Sequence, residues 1–130
     1  MSITMFLEIE EGVSYSEIIS VLSKMKASYA EEEDNLFGNF FRSNCFFVFD
    51  RASSDFEVIA ESVTVDWKVG VRGSFSSPNS AMEESWGDIK AFVATLANDA
   101  RFKFVLSFQY EGVYALNNEG GFKIVQEMFS

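Results

Sequence analysis

Along the first strand-like stretch, Ile3, Met5, Leu7 and Ile9 alternate with Thr4, Phe6, Glu8 and Glu10. A period of two lays one face of a strand on a core. After Gly12 the period lengthens. In SYSEIISVLSKMKASY, Tyr15, Ile18, Ile19, Leu22, Met25 and Tyr29 recur at helical spacing behind a Ser14/Glu17 capping box, which predicts an amphipathic helix reaching Tyr29. Four consecutive carboxylates, Glu31, Glu32, Glu33 and Asp34, then break the pattern and read as a loop, with an exposed-looking pair, Leu36 and Phe37, just beyond.

Cys45 to Phe49 is apolar at every position and suits a central strand covered on both faces. A shorter strand over Phe56 to Ala60 pairs with it through the turn 52–55. The clearest alternation is SVTVDWKVGVRG, where Val63, Val65, Trp67, Val69 and Val71 point one way and Ser62, Thr64, Asp66, Lys68, Gly70 and Arg72 the other. Gly73 to Asn79 reads as a loop. A second capping box, Ser80 with Glu83, opens a helix whose apolar stripe is Met82, Trp86, Ile89, Phe92, Val93 and Leu96, ending near Asn98. Three closing strands follow: FKFVLSFQY, GVYAL and FKIVQEMF, the last two joined by the turn NNEGG.

Strands interrupted by only two helices predict an α+β fold, a mostly antiparallel curved sheet with two amphipathic helices. No linker or repeat divides the 130 residues, so one domain over 1–130 is expected. A hydrophobic content of 48 % with fifteen phenylalanines supplies the core. Trp67 and Trp86 both fall on apolar faces and belong to that core.

Charge changes the picture more than size does. Twenty acidic residues against ten basic ones leave a net charge of −10, which repels phosphate backbones and anionic lipids and draws basic partners. Direct nucleic-acid and membrane binding are therefore disfavoured. The N-terminal MSITMFLEIEEG lacks the basic start and long apolar run of a signal peptide, and no stretch is long enough to span a bilayer, so a cytoplasmic location is expected. The single cysteine, Cys45, reads as a small buried hydrophobe without a disulfide.

Catalytic chemistry finds little to work with. Histidine is absent, which removes the usual general base, zinc ligand and Ser-His or Cys-His nucleophile. VGVRGSF lacks the Lys-Ser/Thr ending of a phosphate loop, so Gly70 and Gly73 read as strand-end or bulge glycines. EEED lacks the alternating ligands and central glycine of a calcium loop. Neither a cofactor nor a metal is expected. Two carboxylates from Glu8, Glu10, Asp66 and Glu111 remain the one conceivable catalytic device, and no spacing favours it. The aromatics of RFKFVLSFQYEGVY lack the basic frame of a single-strand platform.

The acidic run beside an aromatic residue fits a surface that meets positive charge on another protein: carboxylates steer, and Phe37 is an apolar anchor. Candidate partner-binding residues are thus Glu31, Glu32, Glu33, Asp34 and Phe37. Two further acidic clusters qualify: Glu8, Glu10 and Glu11 on the first strand, and Glu83, Glu84 and Asp88 on the second helix.

Size, charge, the missing histidines and the closing FKFVLSFQYEGVYALNNEGGFKIVQEMF together resemble the small immunity proteins of bacterial contact-dependent growth inhibition and related polymorphic toxin systems. The resemblance runs over the whole chain and transfers no individual residue. It implies a non-enzymatic inhibitor of a cognate basic toxin domain, in many such systems a nuclease whose cleft the inhibitor occludes with carboxylates. The alternatives are a nucleic-acid mimic that inhibits a DNA-binding enzyme, a small-molecule-binding domain with an apolar pocket among the Phe-rich strands, and an enzyme using two carboxylates.

Overall fold

The computed structural model describes residues 3–61 and 63–128, apart from the side chain of Ile3. Ser62 and Phe129, which two of the expected strands include, lie outside the described residues. The elements follow in the order β1 (Ile3–Glu10), α1 (Tyr15–Lys24), β2 (Ser28–Glu32), β3 (Asn35–Asn39), β4 (Phe46–Arg51), β5 (Val69–Ser77), α2 (Met82–Asp99), β6 (Phe104–Phe108), β7 (Gly112–Asn118) and β8 (Gly121–Ile124). The strands form one open sheet, β2-β3-β4-β5-β1-β6-β7-β8, in which each neighbouring pair is antiparallel.

This order dictates where the helices go. β1 and β2 run in the same direction at opposite ends of a five-strand block, so the chain between them must cross over, and α1 is that crossover. β5 and β6 flank β1 in the same sense, and α2 makes the second crossover. Both helices lie on one face of the sheet, where Met5, Leu7 and Ile9 of β1 share a single apolar cluster with Ile18 and Leu22 of α1 and Phe92 and Leu96 of α2. Phe40, Phe47, Phe49, Phe75 and Phe92 fill its middle, with ring centroids 5.1–6.0 Å apart and mostly tilted or edge-on. These rings occupy the space between sheet and helices.

Gly73 is what lets Phe49 lie flat there. A Cβ at Gly73 would stand 2.6 Å from the Phe49 ring, well inside contact distance. Gly70 has a different role: Ile9 pairs with Val71 and Glu10 with Val69, which leaves Gly70 as the extra residue of a bulge.

The opposite face is covered over only half its width. The described residues of 52–68 carry no helix or strand and form a strap, whose Ala60 and Trp67 pack with Val69 and Val105, flanked by Val58, Val63 and Val65. The strands β2, β3 and β4 lie beyond this second cluster.

Several boundaries differ from the sequence expectation. Of the alternation expected over 62–73, the described residues form a strand only from Val69, and the segment 73–79, expected as a loop, continues β5 to Ser77. The alternating valines before 69 belong to the strap and pack against the second cluster, and those from 69 on pair in β5. Residues 56–60 form no strand, because the amides of Ile59 and Ala60 bond to a side chain instead of a ladder. α1 stops at Lys24, with Lys26 at φ 59, so Tyr29 belongs to β2. The Ser14/Glu17 capping box is present. The one expected at Ser80 is not: a single 3-10 turn over Asn79–Ala81 precedes α2, whose N-cap Ala81 has no side-chain cap. β4 begins after Cys45 and buries only Phe47 and Phe49, leaving Phe46 41 % exposed, so it is not covered on both faces.

Candidate functional site

The acidic run is a hairpin, not a loop. Glu32 pairs with Asn35, so β2 and β3 are joined by the two residues Glu33 and Asp34. Glu33 sits at φ 53, the left-handed region that a two-residue hairpin turn normally fills with glycine at its first position. A side chain there costs roughly 1 kcal/mol. The turn is held from behind by α1: the Tyr15 hydroxyl lies between the carbonyl oxygens of Asp34 and Phe49, 3.0 Å from the latter, and shares its one proton between them. The Arg51 guanidinium stacks 4.1 Å above the Tyr15 ring. Burial raises the Tyr15 phenol above its ordinary pKa, which keeps the donor protonated.

Because side chains alternate along a strand, the four carboxylates do not share a face. Glu31 stands opposite Leu36 on the helix side, whereas Glu32 stands opposite Asn35 on the strap side, and Glu33 and Asp34 project from the tip. All four are exposed, and among the described residues none is within ion-pair distance of a lysine or arginine. Leu36, expected to be exposed, is wholly buried against the core. Phe37 is half-buried on the opposite face, where Ala30 and Val48 flank it in register.

The other acidic candidates divide. Glu8 is completely buried and is not a partner contact. Its carboxylate accepts the backbone N–H groups of Ile59 and Ala60 at 2.8 and 3.0 Å and the Arg72 Nε–H at 3.3 Å, while Arg72 also donates to the carbonyls of Asp55 and Glu57. Glu8 therefore pins the strap to the sheet. Asp88 is likewise a structural residue: it is 7 % exposed and accepts the Ser43 N–H at 3.0 Å, fixing the 40–45 turn against α2. Glu10 is half-buried and accepts the Lys103 N–H at 3.0 Å. Glu11, Glu83 and Glu84 are exposed.

Strand registers show which of these lie together. Asn35 pairs with Asp50, Asp50 with Arg72 and Ile9 with Val71, so the hairpin tip, Asp50, Glu10 and Glu11 occupy one end of the sheet. Glu83 and Glu84 start α2 just after β5, at the other end. Asp50 is exposed and outside any ion pair among the described residues, and sequence reasoning missed it. Its signal was the outward series Phe46, Val48, Asp50, legible only once β4 is known to be bare on one side.

Elsewhere the chemistry is sparse. Burial pushes the Cys45 thiol up to about 11, opposed by the neighbouring Ser77 and Ser85 hydroxyls, so it is an inert neutral thiol at physiological pH. A groove of about 620 Å³ runs between the strap at 63–67 and β6 to β8, and Lys103 in it is held above its ordinary pKa, chiefly by a hydrogen bond to Glu119. Among the described residues no three Asp, Glu or Cys side chains gather as a metal cluster would, and no helix is long and apolar enough to cross a membrane. Comparison with protein-family models, with curated proteins and with solved structures finds no match to this chain, so its own geometry carries the functional reading.

Proposed function

We infer that the protein is a non-enzymatic inhibitor that binds a basic polypeptide, a toxin domain of the nuclease type, through the carboxylates at the tip of the β2–β3 hairpin. The observation that carries this reading is Glu33. A turn position that favours glycine holds a carboxylate at an energetic cost, in the middle of three other exposed and unneutralised carboxylates. Strain retained at a surface turn points to a use for the side chain. A net charge of −10 supports the same reading, because a nuclease holds its polyanionic substrate in a basic cleft that carboxylates fit in place of phosphates. The Tyr15 anchor supports it further, since a tip braced by a helix loses less freedom on binding.

The reading requires no catalytic group and assigns none. Co-expression with the product of the adjacent upstream gene tests it: the protein should protect cells from that product, and the purified pair should lack nuclease activity. A harmless neighbour that does not bind, or turnover of a substrate by the isolated protein, would sink it.

A further inference from the structure

Beyond the charged tip, the half of the sheet that the strap leaves bare forms an apolar row. Register places Ala30, Phe37, Val48 and Ser74 side by side across β2 to β5, and Phe6 of β1 next to Ser74. One step along the strands toward the other end of the sheet lies Phe46, 41 % exposed. One step toward the hairpin tip lies an acidic row with Glu32 and Asp50. Arg72 is the one cation in that row, and it is already engaged by Glu8 and by two strap carbonyls.

The inner border of the patch is built with care. Phe6 stacks on Tyr110 at 4.2 Å with ring planes within 6°. Tyr110 is delivered there by a turn in which Gln109 and Tyr110 both have positive φ, 51° and 65°. The Glu61 N–H bonds to the Tyr110 carbonyl and so ties that turn to the strap. The patch thus ends at an aromatic wall, with a cavity of about 280 Å³ between Phe6, Val48, Asp50, Arg72, Tyr110 and the first strap residues, 52–55.

Charge decides what covers it. A second copy docked face to face would bring two acidic patches together, on chains of net charge −10 each, and offer no free cation in that row to Glu32 and Asp50. An anionic lipid or nucleic-acid surface meets the same repulsion. A polypeptide surface with an apolar side chain at its centre and lysines or arginines beside it satisfies both parts of the patch.

We propose that the bare face of β2, β3 and β4, centred on Phe37 and Val48 and bordered by the Phe6–Tyr110 stack, is the docking surface for a basic polypeptide, with Glu32 and Asp50 as its charged rim. The proposal rests on the inhibitor reading and locates the buried centre of that interface. Charges at the tip set how fast the partner arrives, and this apolar face sets how long it stays.

The test uses the protein with the purified product of the upstream gene. Val48→Lys should weaken the complex by about 30-fold or more, as loss of a central contact does, mainly through faster dissociation. Hydroxyl-radical footprinting of the wild-type pair, which needs no variant to fold, should show Phe37 and Phe46 protected relative to the free protein. A complex that forms while Phe37 and Phe46 stay as reactive as in the free protein overturns the docking surface and leaves the inhibitor reading standing. Failure of the two proteins to bind at all overturns both. Protection of the same residues in the isolated protein, together with a dimer in sedimentation, makes the occupant a second copy and contradicts the proposal.

Discussion

Phe37 on β3 stands directly opposite Val48 on β4, on the sheet face that neither the helices nor the strap covers. Leu36, its neighbour in sequence, points the other way and is wholly buried. One residue of strand register therefore separates a core side chain from a surface one.

Relieving the hairpin turn should stabilise the fold and impair recognition at once. Glu33→Gly removes a left-handed side chain and one member of a like-charge run, so stability should rise by about 1 kcal/mol. Denaturant unfolding reads the gain. A loss of stability would mean that Glu33 is held by favourable contacts, and the argument from strain would fail.

Glu8 should behave as a fold residue. Glu8→Ala leaves two strap amides and Arg72 without their acceptor, a loss on the order of 3 kcal/mol. Amide exchange at Ile59 and Ala60 should accelerate by more than at strand residues of the core. If stability is unchanged and only partner binding drops, the strap is not pinned by this carboxylate.

Gly73→Ala should also destabilise, by about 1–3 kcal/mol, because the new methyl group meets the Phe49 ring. Pairing it with Phe49→Leu should recover part of the loss. Simple addition of the two losses, with no recovery, would show that the ring is not what excludes a side chain there.

At alkaline pH Cys45 should contribute a measurable slope. Its thiol keeps its proton to about 11 in the folded protein, while the unfolded chain loses it near 9.0, so the folded state binds more protons between these values. Stability is fully present below the lower value and falls as pH rises through the window. Tyr15 and Tyr110, both raised by burial, act in the same direction. Unfolding midpoints of the wild type and Cys45→Ala across this range should converge as pH rises. Parallel curves would show that the thiol does not titrate differently in the two states.

The sequence made the helices and the β1 alternation legible because their signals are local: Ser14 with Glu17 caps α1, and Trp86, Ile89, Phe92 and Leu96 share one side of α2. What it hid were contacts that depend on coverage. Val63 and Val65 alternate like strand residues, yet they are half-buried members of a strap whose amides bond to Glu8. Glu8 itself occupies an outward position in β1, and only the strap makes that position interior. The same strap leaves Phe46, Val48 and Asp50 outward, with Phe46 and Asp50 exposed and Val48 half-buried, which no periodicity in 45–51 distinguishes from a strand covered on both sides. The carboxylates of 31–34 were visible as a charge cluster, but their division between two faces follows from hairpin pairing at Glu32 and Asn35.

The central claim, that the hairpin carboxylates steer a basic partner, is tested most directly by the association rate with the upstream gene product as a function of salt. Wild type should associate fast at low salt and slow steeply as the Debye length falls below about 10 Å, with dissociation changing much less. The variant Glu31→Gln, Glu32→Gln, Glu33→Gln, Asp34→Asn should start slower and show a shallower salt dependence, with its melting temperature equal to or above that of the wild type. An association rate that is the same for both proteins at every salt concentration would contradict the account.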